Sequence, residues 1–307
     1  MTGIAITSLS VTFRLPGADI RAVDGVSARF AGGQITGLIG ESGCGKSVLG
    51  LALLGLLPPY ADLEGEMTLD GVPLTADTAR RRLGREIGLI PQNPADSLNP
   101  ARTVGAHLKE ALAPLGLGRA ERRARAEQLL RDFGFDAPGR ILRAYPHELS
   151  GGMQQRVLCA VGAACSPRWV LADEPTKGLD RDLRDQVQDT LLSLRGQGVE
   201  SMLIITHDLP LARSLCDSLA VMYAGQVLEQ GAQVLEEPLH PYTQAFRNAL
   251  PEHGFQSLAG VAPRAGERLP GCPFAPRCPL AEERCRRERP PASSPKPGRM
   301  VRCFRYV

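Results

Sequence analysis

Short apolar runs separated by glycine-containing turns characterise the first ninety residues. Runs of strand length, either alternating or continuously apolar, occur at 4–13, 26–30, 35–39, 66–69 and 86–90. Residues 48–57 are instead apolar almost all round, which predicts a helix packed beneath a sheet. The pattern therefore predicts several strands, with one buried helix between the third strand and the fourth.

The remainder of the chain alternates predicted helices with predicted strands. Helices are predicted at 104–115, 119–133 and about 150–164, and buried strands at 169–172 and 201–206. Since the elements between about 93 and 165 are all helical, we expect a helical insertion there. This succession of strands and helices indicates the α/β class.

Length and composition limit the possible functions. With 307 residues, 43% apolar and 22% charged, the chain can bury one large core and carry an appendage. Its formal net charge of +3 is too small to indicate nucleic acid as the main partner. No apolar run reaches the ~18 residues of a membrane span, and the N-terminus lacks a signal-peptide pattern. We therefore expect a cytoplasmic protein whose eight cysteines are not paired as disulfides.

The strongest chemical signal lies between the predicted strand at 35–39 and the predicted helix at 48–57. It matches G-x-x-x-x-G-K-[ST] and consists of Gly40, Glu41, Ser42, Gly43, Cys44, Gly45, Lys46 and Ser47. The glycines let successive backbone N–H groups point at phosphates, and the N-terminus of the following helix adds positive potential. We expect Lys46 to contact the outer phosphates of a nucleotide and Ser47 to place its hydroxyl on Mg²⁺.

Polar side chains follow three of the predicted strands, where ligands of open α/β sheets bind. Gln92 comes soon after one strand and can reach Mg²⁺ or the attacking water. Asp173 and Glu174 end a second strand, so that one carboxylate can hold Mg²⁺ through water while the other polarises a nucleophilic water. His207 follows the third strand and is either a γ-phosphate ligand or a structural residue.

Two further features can contribute to nucleotide binding. Ser150, Gly151 and Gly152 open a predicted helix, and such a turn at a helix N-terminus is a second anion-binding geometry. Phe13 lies upstream of the phosphate loop, where an aromatic ring can stack on adenine; a core-facing strand residue is the alternative.

The tail from Arg264 onward differs in composition from the rest of the chain. It holds eleven Lys or Arg against four Glu and is rich in proline, so we expect no packing by burial there. Four cysteines are concentrated in it, namely Cys272, Cys278, Cys285 and Cys303. Their spacing lacks the CxxC pairs typical of zinc sites, but a metal or cluster would supply the missing cross-link.

Taken in order, these motifs resemble those of the ATP-binding subunit of an ABC transporter. The resemblance covers roughly residues 3–250 and rests on Gly40–Ser47, Gln92, Leu149–Met153, Asp173–Glu174, Gly178-Leu179-Asp180 and His207. Within that family the chain is most similar to the oligopeptide, dipeptide and nickel uptake subfamily. The similarity lies in Gly40-Glu41-Ser42-Gly43, Asp96-Ser97-Leu98-Asn99-Pro100, Met222-Tyr223-Ala224-Gly225 and His240-Pro241-Tyr242-Thr243.

The resemblance implies a fold and a division into domains. Residues 1–250 would form the ABC-type P-loop nucleotide-binding domain, with a mixed sheet core, an antiparallel β part and a helical subdomain at about 93–165. Residues 251–307 would form the C-terminal extension of oligopeptide transporters, which carries the four cysteines.

The resemblance also implies an activity and partners. Two subunits, identical or different, would close head to tail on two ATP molecules, so that Ser150 and Gly152 of one complete the site of the other. Glu174 would be the general base, and Asp173 would help to hold Mg²⁺. Two transmembrane permease subunits and, indirectly, a substrate-binding protein would complete an importer of peptides, nickel or metal chelates. The chain would lie peripherally on the cytoplasmic face of the membrane, with Gln92 and the loop after it touching the permease.

Some members of the subfamily hold a [4Fe–4S] cluster in the corresponding extension. A [4Fe–4S] cluster, zinc and free thiols are therefore the alternatives for the tail cysteines, and a redox-sensing tail is a related one. For the whole chain, the alternative is a soluble ABC ATPase acting on nucleic acid or ribosomes, which the basic tail supports. Such proteins usually carry two nucleotide domains or a coiled-coil insertion, and this chain has neither.

Overall fold

The computed structural model describes residues 2–179, 181–250, 254, 260–264, 266–267 and 269–307. The chain divides into two compact units, one formed by Met1–Ala79 and Thr206–Val307 and the other by Arg80–Ile205. In the described part of the chain, no helix combines the length and the apolar character needed to cross a membrane.

Strands and helices alternate along the described residues. The strands are β1 (Gly3–Leu15), β2 (Ala18–Ala31), β3 (Ile35–Ile39), β4 (Ala61–Leu69), β5 (Val72–Pro73), β6 (Ile87–Ile90), β7 (Trp169–Asp173), β8 (Ser201–Thr206), β9 (Ser218–Tyr223), β10 (Gln226–Gly231), β11 (Ser293–Lys296) and β12 (Arg299–Val301). The helices are α1 (Lys46–Leu53), α2 (Ala76–Arg82), α3 (Pro94–Ser97), α4 (Val104–Ala111), α5 (Arg119–Asp132), α6 (Pro138–Ile141), α7 (Gly151–Gly162), α8 (Arg181–Arg195), α9 (Leu209–Leu215), α10 (Pro241–Asn248) and α11 (Glu283–Arg287).

The first unit contains strands of two sheets. One sheet is antiparallel, in the order β2-β1-β4-β5. In the other, β3 runs parallel to β9, whereas β10 pairs with β9, and β12 with both β10 and β11, in antiparallel fashion. A mixed sheet and a separate antiparallel part are therefore both present, as predicted.

The second unit is built on parallel strands and helices. Strand β7 pairs in parallel with β6 and with β8, and Ala172 lies opposite both Ile90 and Ile204. The elements between β6 and β7 are helical, and α7 contacts α3, α4 and α5. Because parallel strands share a direction, the residues that follow β6 and β7 emerge at the same edge of the sheet.

Two helices end earlier than their apolar patterns predict. Helix α1 stops at Leu53 instead of residue 57, since Gly55 has a left-handed φ of 67° and a Cβ there would lie 2.4 Å from the carbonyl oxygen of Ala76. Helix α4 stops at Ala111, and the following turn contains Pro114, which has no N–H to continue the helix.

The tail is packed, so the expectation that it could not be ordered by burial was wrong. Phe274 and Ala275 are buried in the same apolar cluster as Tyr223 and Tyr242. Strand β12 also extends the sheet beyond β10 and buries Val301 completely. The few apolar tail residues suffice because they complete a core that earlier segments have already begun, rather than forming a core of their own.

Candidate nucleotide-binding site

The predicted phosphate loop connects β3 to α1. All five residues of β3 are buried, which anchors the start of the loop, and Lys46 is the first residue of α1. A Cβ at Gly40 would lie 2.1 Å from the carbonyl oxygen of Met222, and one at Gly45 would lie 2.3 Å from that of Ala22. Both positions therefore require glycine for the loop to turn so closely against neighbouring backbone.

Lys46 places its charge inside this loop. The side chain is buried, and Nζ donates to the carbonyl oxygens of Gly40 at 2.8 Å and Glu41 at 3.0 Å. Ser47, the next residue, is exposed on the first turn of α1. A loop of this kind presents one fixed cation, backbone N–H groups and a hydroxyl to an incoming phosphate.

His207 belongs to the same unit and follows the last residue of β8. Its side chain is exposed, whereas Thr206 before it is fully buried. The next residue, Asp208, caps α9 by accepting a hydrogen bond from the N–H of Leu211 at 3.1 Å. The histidine therefore lies on a short, well-anchored connection at a strand end, as predicted, and its bond to a γ-phosphate stays a prediction.

The predicted acidic pair lies in the second unit, at the end of β7. Asp173 is the last residue of the strand and is half-buried; Glu174 follows it and is buried. Glu174 has a left-handed φ of 48°, a conformation that costs a non-glycine residue about 1–3 kcal/mol and persists where the surroundings enforce it. The strand geometry thus ends at Asp173, and the glutamate is held in a separate, constrained turn.

Gln92 lies near this pair within the second unit. It comes two residues after Ile90, which is paired with Ala172, the residue before Asp173. Gln92 is half-buried. Because the two strands are parallel neighbours, the glutamine and the acidic pair emerge at the same edge of the sheet.

The predicted turn of Ser150, Gly151 and Gly152 is present at the start of α7, and its binding of an anion stays a prediction. Ser150 is the N-cap, and its hydroxyl oxygen accepts a 3.3 Å hydrogen bond from the N–H of Met153. Ser150 and Gly151 are exposed. A Cβ on Gly152 would lie 2.4 Å from the side chain of Leu183, so glycine is also needed there for packing.

Phe13 lies on β1 opposite Ile20 of β2, and its ring centre is 6.1 Å from that of Tyr60. The ring of Phe13 thus contacts a tyrosine directly before β4, and its stacking on adenine stays a prediction. Asp180, the last residue of the predicted Gly178-Leu179-Asp180 motif, lies outside the described residues.

A pocket beside the phosphate loop contains residues that the sequence did not single out. Arg21 and Asp24 form one part of its lining, Ser42 to Cys44 another, and residues 262–264, where the tail begins, a third. Burial raises the pKa of Asp24, but the guanidinium groups of Arg289 and Arg21 outweigh it and hold the pKa below its usual range. Strand β2 and the start of the tail therefore both line this pocket beside the loop.

The four tail cysteines line a single cavity, together with His240. Burial raises the pKa of Cys272 to about 11 and also raises the pKa of Cys278 and Cys303, and the neighbouring thiols add to each rise. Four converging thiols are a suitable donor set for zinc or an iron–sulfur cluster. In the described ranges, however, no three His, Cys, Asp or Glu side chains are arranged as ligands of one metal ion.

Comparison with known sequences identifies the family. A model of the ABC transporter family matches residues 23–177, and a model of the oligopeptide/dipeptide transporter C-terminal region matches residues 228–285. The chain belongs to the ABC transporter family. It is an ABC-type ATPase with the mixed α/β fold of that family.

Relatives match this ABC ATPase over nearly its full length. The dipeptide transport ATP-binding protein DppD of Escherichia coli K12 is 41% identical, over 99% of this chain and 96% of the relative. The oligopeptide transport ATP-binding protein AppD of Bacillus subtilis is 37% identical, over 99% and 97% respectively. Among solved structures, the dimeric post-hydrolysis state of the ATP-binding cassette MJ0796 with ADP and Pi has a TM-score of 0.65 at 25% identity, covering 75% of this chain and 98% of that one.

Proposed function

We propose that this ABC ATPase couples ATP hydrolysis to the import of peptides. The observation that carries this proposal is the near full-length similarity to DppD and AppD, which are named for dipeptide and oligopeptide transport and extend through the tail. The family model of the C-terminal region is likewise that of oligopeptide and dipeptide transporters. These names favour peptides over nickel or metal chelates, and they give no support to an ATPase acting on nucleic acid or ribosomes.

The predicted site residues would supply the parts that ATP hydrolysis needs. Lys46 and the loop N–H groups would bind the β- and γ-phosphates, and Ser47, Gln92 and Asp173 would hold Mg²⁺. When bound, this ion neutralises charge on the phosphate oxygens. Glu174 would orient the attacking water and accept its proton as the water oxygen bonds to the γ-phosphorus, while the bond from that phosphorus to the ADP oxygen breaks and ADP leaves with phosphate. The buried side chain of Glu174 and its constrained backbone support this role, because a base must be held in one place.

The working form would be a head-to-tail dimer of ATPase subunits. Ser150 and Gly152 of one subunit would then contact the γ-phosphate in the site of the other, with His207 on the opposite side. The dimeric MJ0796 cassette supports this arrangement by similarity. Two permease subunits, bound through the loop after Gln92, and a substrate-binding protein would complete the importer, with this chain on the cytoplasmic face of the membrane.

The tail would hold a metal centre, either a [4Fe–4S] cluster or zinc. Cys272, Cys278, Cys285 and Cys303 would be its ligands. The support is their common cavity in a region with few apolar side chains. Because ligation deprotonates the thiols, the raised pKa values of Cys272, Cys278 and Cys303 mean that metal binding would release protons and depend on pH.

An uptake experiment in cells tests the transport proposal. A strain lacking this gene is supplied with labelled dipeptide or with labelled nickel, and is complemented with the wild-type chain or with Glu174→Gln. We expect loss of dipeptide uptake in the deletion strain, recovery with wild type and no recovery with Glu174→Gln. Nickel uptake should not change. Normal dipeptide uptake together with lost nickel uptake would contradict the proposal.

A further inference from the structure

An arginine of the tail forms an ion pair with the phosphate loop. Arg277 Nη1 lies 3.0 Å from Oε1 and 3.1 Å from Oε2 of Glu41, the second residue of the loop. The Arg277 side chain is 6% exposed and the Glu41 side chain 26% exposed, so the pair is largely shielded from water. Shielding makes such a pair stronger than the exposed ion pairs elsewhere on the tail.

Aromatic residues hold both members of the pair. Arg277 Nη1 also donates to the Tyr223 hydroxyl at 3.1 Å, and its guanidinium lies 5.8 Å from the centre of that ring. The N–H of Glu41 donates to the Tyr242 hydroxyl at 3.1 Å. The rings of Tyr223 and Tyr242 are 4.5 Å apart, and Phe274 packs against both. Glu41 is therefore fixed at its backbone and at its carboxylate by the same cluster.

The carboxylate lies at a place where a free negative charge would oppose nucleotide binding. The carbonyl oxygen of Glu41 accepts a hydrogen bond from Lys46 Nζ, so this residue borders the position predicted for the phosphates. A carboxylate near the triphosphate repels it, and the repulsion is strong where water is partly excluded. Pairing with Arg277 offsets the negative charge of Glu41 and keeps the Glu41 side chain turned towards the tail.

We propose that Arg277 is a positioning residue of the nucleotide site, neutralising Glu41 and thereby making ATP affinity dependent on the tail. Arg277 closes the short turn Ala275–Arg277 and directly precedes Cys278, so one turn contacts both the loop and the cysteine cavity. This inference rests on the proposed site at Gly40–Ser47, but it concerns a residue that lies outside that loop and contacts it through Glu41.

The test measures binding of a fluorescent ATP analogue to purified full-length chain by anisotropy. Arg277→Ala should weaken binding about tenfold, which corresponds to ~1.4 kcal/mol. Adding Glu41→Gln to Arg277→Ala should bring the Kd back to within about twofold of Glu41→Gln alone, because the repelling charge is gone. High salt should reduce the defect of Arg277→Ala, since it screens that charge.

Matched variants separate this role from a general effect on the tail. Arg287→Ala removes a tail arginine that pairs with Glu283 on the exposed surface, and it should bind as wild type does. If Arg277→Ala does not fold, Arg277→Gln is compared in the same way. A defect that Glu41→Gln fails to relieve, or unchanged affinity of a folded Arg277 variant, would overturn the proposal. Failure of the nucleotide site itself would appear separately, as absence of binding by the wild-type chain.

Discussion

The backbone N–H of Glu174 donates a 2.7 Å hydrogen bond to the carbonyl oxygen of Ile205 on the neighbouring strand β8. Ile205 is also the residue paired with Asp173, so the strand ladder continues one residue beyond the end of β7. The bond ties the backbone of Glu174 to β8 at the residue where φ is left-handed, at 48°. The carboxylate is thereby attached to a backbone that cannot relax into ordinary strand geometry.

A change of Glu174 to glutamine should stop turnover without removing the fold of this turn. We expect Glu174→Gln to lower the rate of ATP hydrolysis at least about a hundredfold, because the amide cannot accept a proton from water. ATP binding should persist, since the phosphate loop is untouched. Steady-state phosphate release measures the rate, and gel filtration with ATP detects a trapped dimer. Glu200→Gln, at an exposed glutamate paired with Arg168, is the control. Near-normal turnover of Glu174→Gln would show that Glu174 is not the base.

Loss of the Lys46 ammonium should weaken binding itself. Lys46→Ala removes a buried cation that donates to two carbonyl groups of the loop, and we expect ATP affinity to fall at least about tenfold. Titration calorimetry with Mg·ATP measures the Kd. Lys109→Ala, at an exposed lysine on α4, should leave it unchanged. Equal affinities of wild type and Lys46→Ala would contradict the phosphate-binding role.

Acid should destabilise the first unit through His240. Burial lowers the pKa of His240 from 6.5 to about 3, and its Nδ1 accepts a hydrogen bond from the N–H of Tyr242, which requires the neutral ring. In the unfolded chain, His240 binds a proton below its ordinary pKa of 6.5. In the folded chain, it does so only below about pH 3. The free energy of unfolding should therefore fall from pH 6.5 towards pH 3, by up to ~1.4 kcal/mol per pH unit.

Urea unfolding across that pH range measures this dependence. His240→Asn retains an acceptor for the N-cap of the helix. In this variant the free energy of unfolding should change less steeply with pH, by up to the ~1.4 kcal/mol per pH unit that one proton contributes. The exposed His147→Asn is the control and should keep the wild-type slope. An identical slope in His240→Asn and wild type would exclude His240 as the origin.

Removal of the Phe274 ring should show how much the tail contributes to stability. The side chain is 1% exposed and contacts the rings of Tyr223, Tyr242 and His240. We expect Phe274→Ala to cost ~3–5 kcal/mol in the free energy of unfolding, through lost burial and a cavity. Val261→Ala, at an 89% exposed side chain, should change it by less than ~0.5 kcal/mol. A similarly small effect of Phe274→Ala would mean that the tail does not share the core.

The metal centre proposed for the tail can be tested by analysis of anaerobically purified protein. A [4Fe–4S] cluster would give a brown preparation with about four irons per chain, and Cys278→Ser should lose them. Cys165→Ser, at a half-buried cysteine of the second unit, should retain the full metal content. A preparation that contains zinc and no iron would show that the metal bound by the tail is zinc. Protein that contains neither metal would leave the four cysteines as thiols.

Local sequence alone was sufficient to predict the loop, the strand ends and the N-cap that carry the candidate site residues. The apolar run at β3, the glycines of the loop and the apolar start of α1 are contiguous, and short-range sterics and hydrogen bonding select their conformation. The same holds for the N-cap at Ser150, which begins a helix, and for Gln92, Asp173 and Glu174, which lie at or just after the ends of strands that burial requires. Periodicity did not reveal where α1 and α4 end, since Gly55 and Pro114 decide those points through backbone geometry.

What the sequence left open was decided by contacts between distant segments. Glu41 and Arg277 are 236 residues apart, and nothing local to either predicts that they meet. The tail's composition predicted a segment that burial could not order, yet Phe274 and Val301 are buried because the tail completes an existing core and sheet. Whether a tail residue is buried depends on the apolar surface that the rest of the folded chain provides. Which charged side chains form a pair depends on which of them the fold brings close together. Both are properties of the folded chain, and a linear pattern does not contain them.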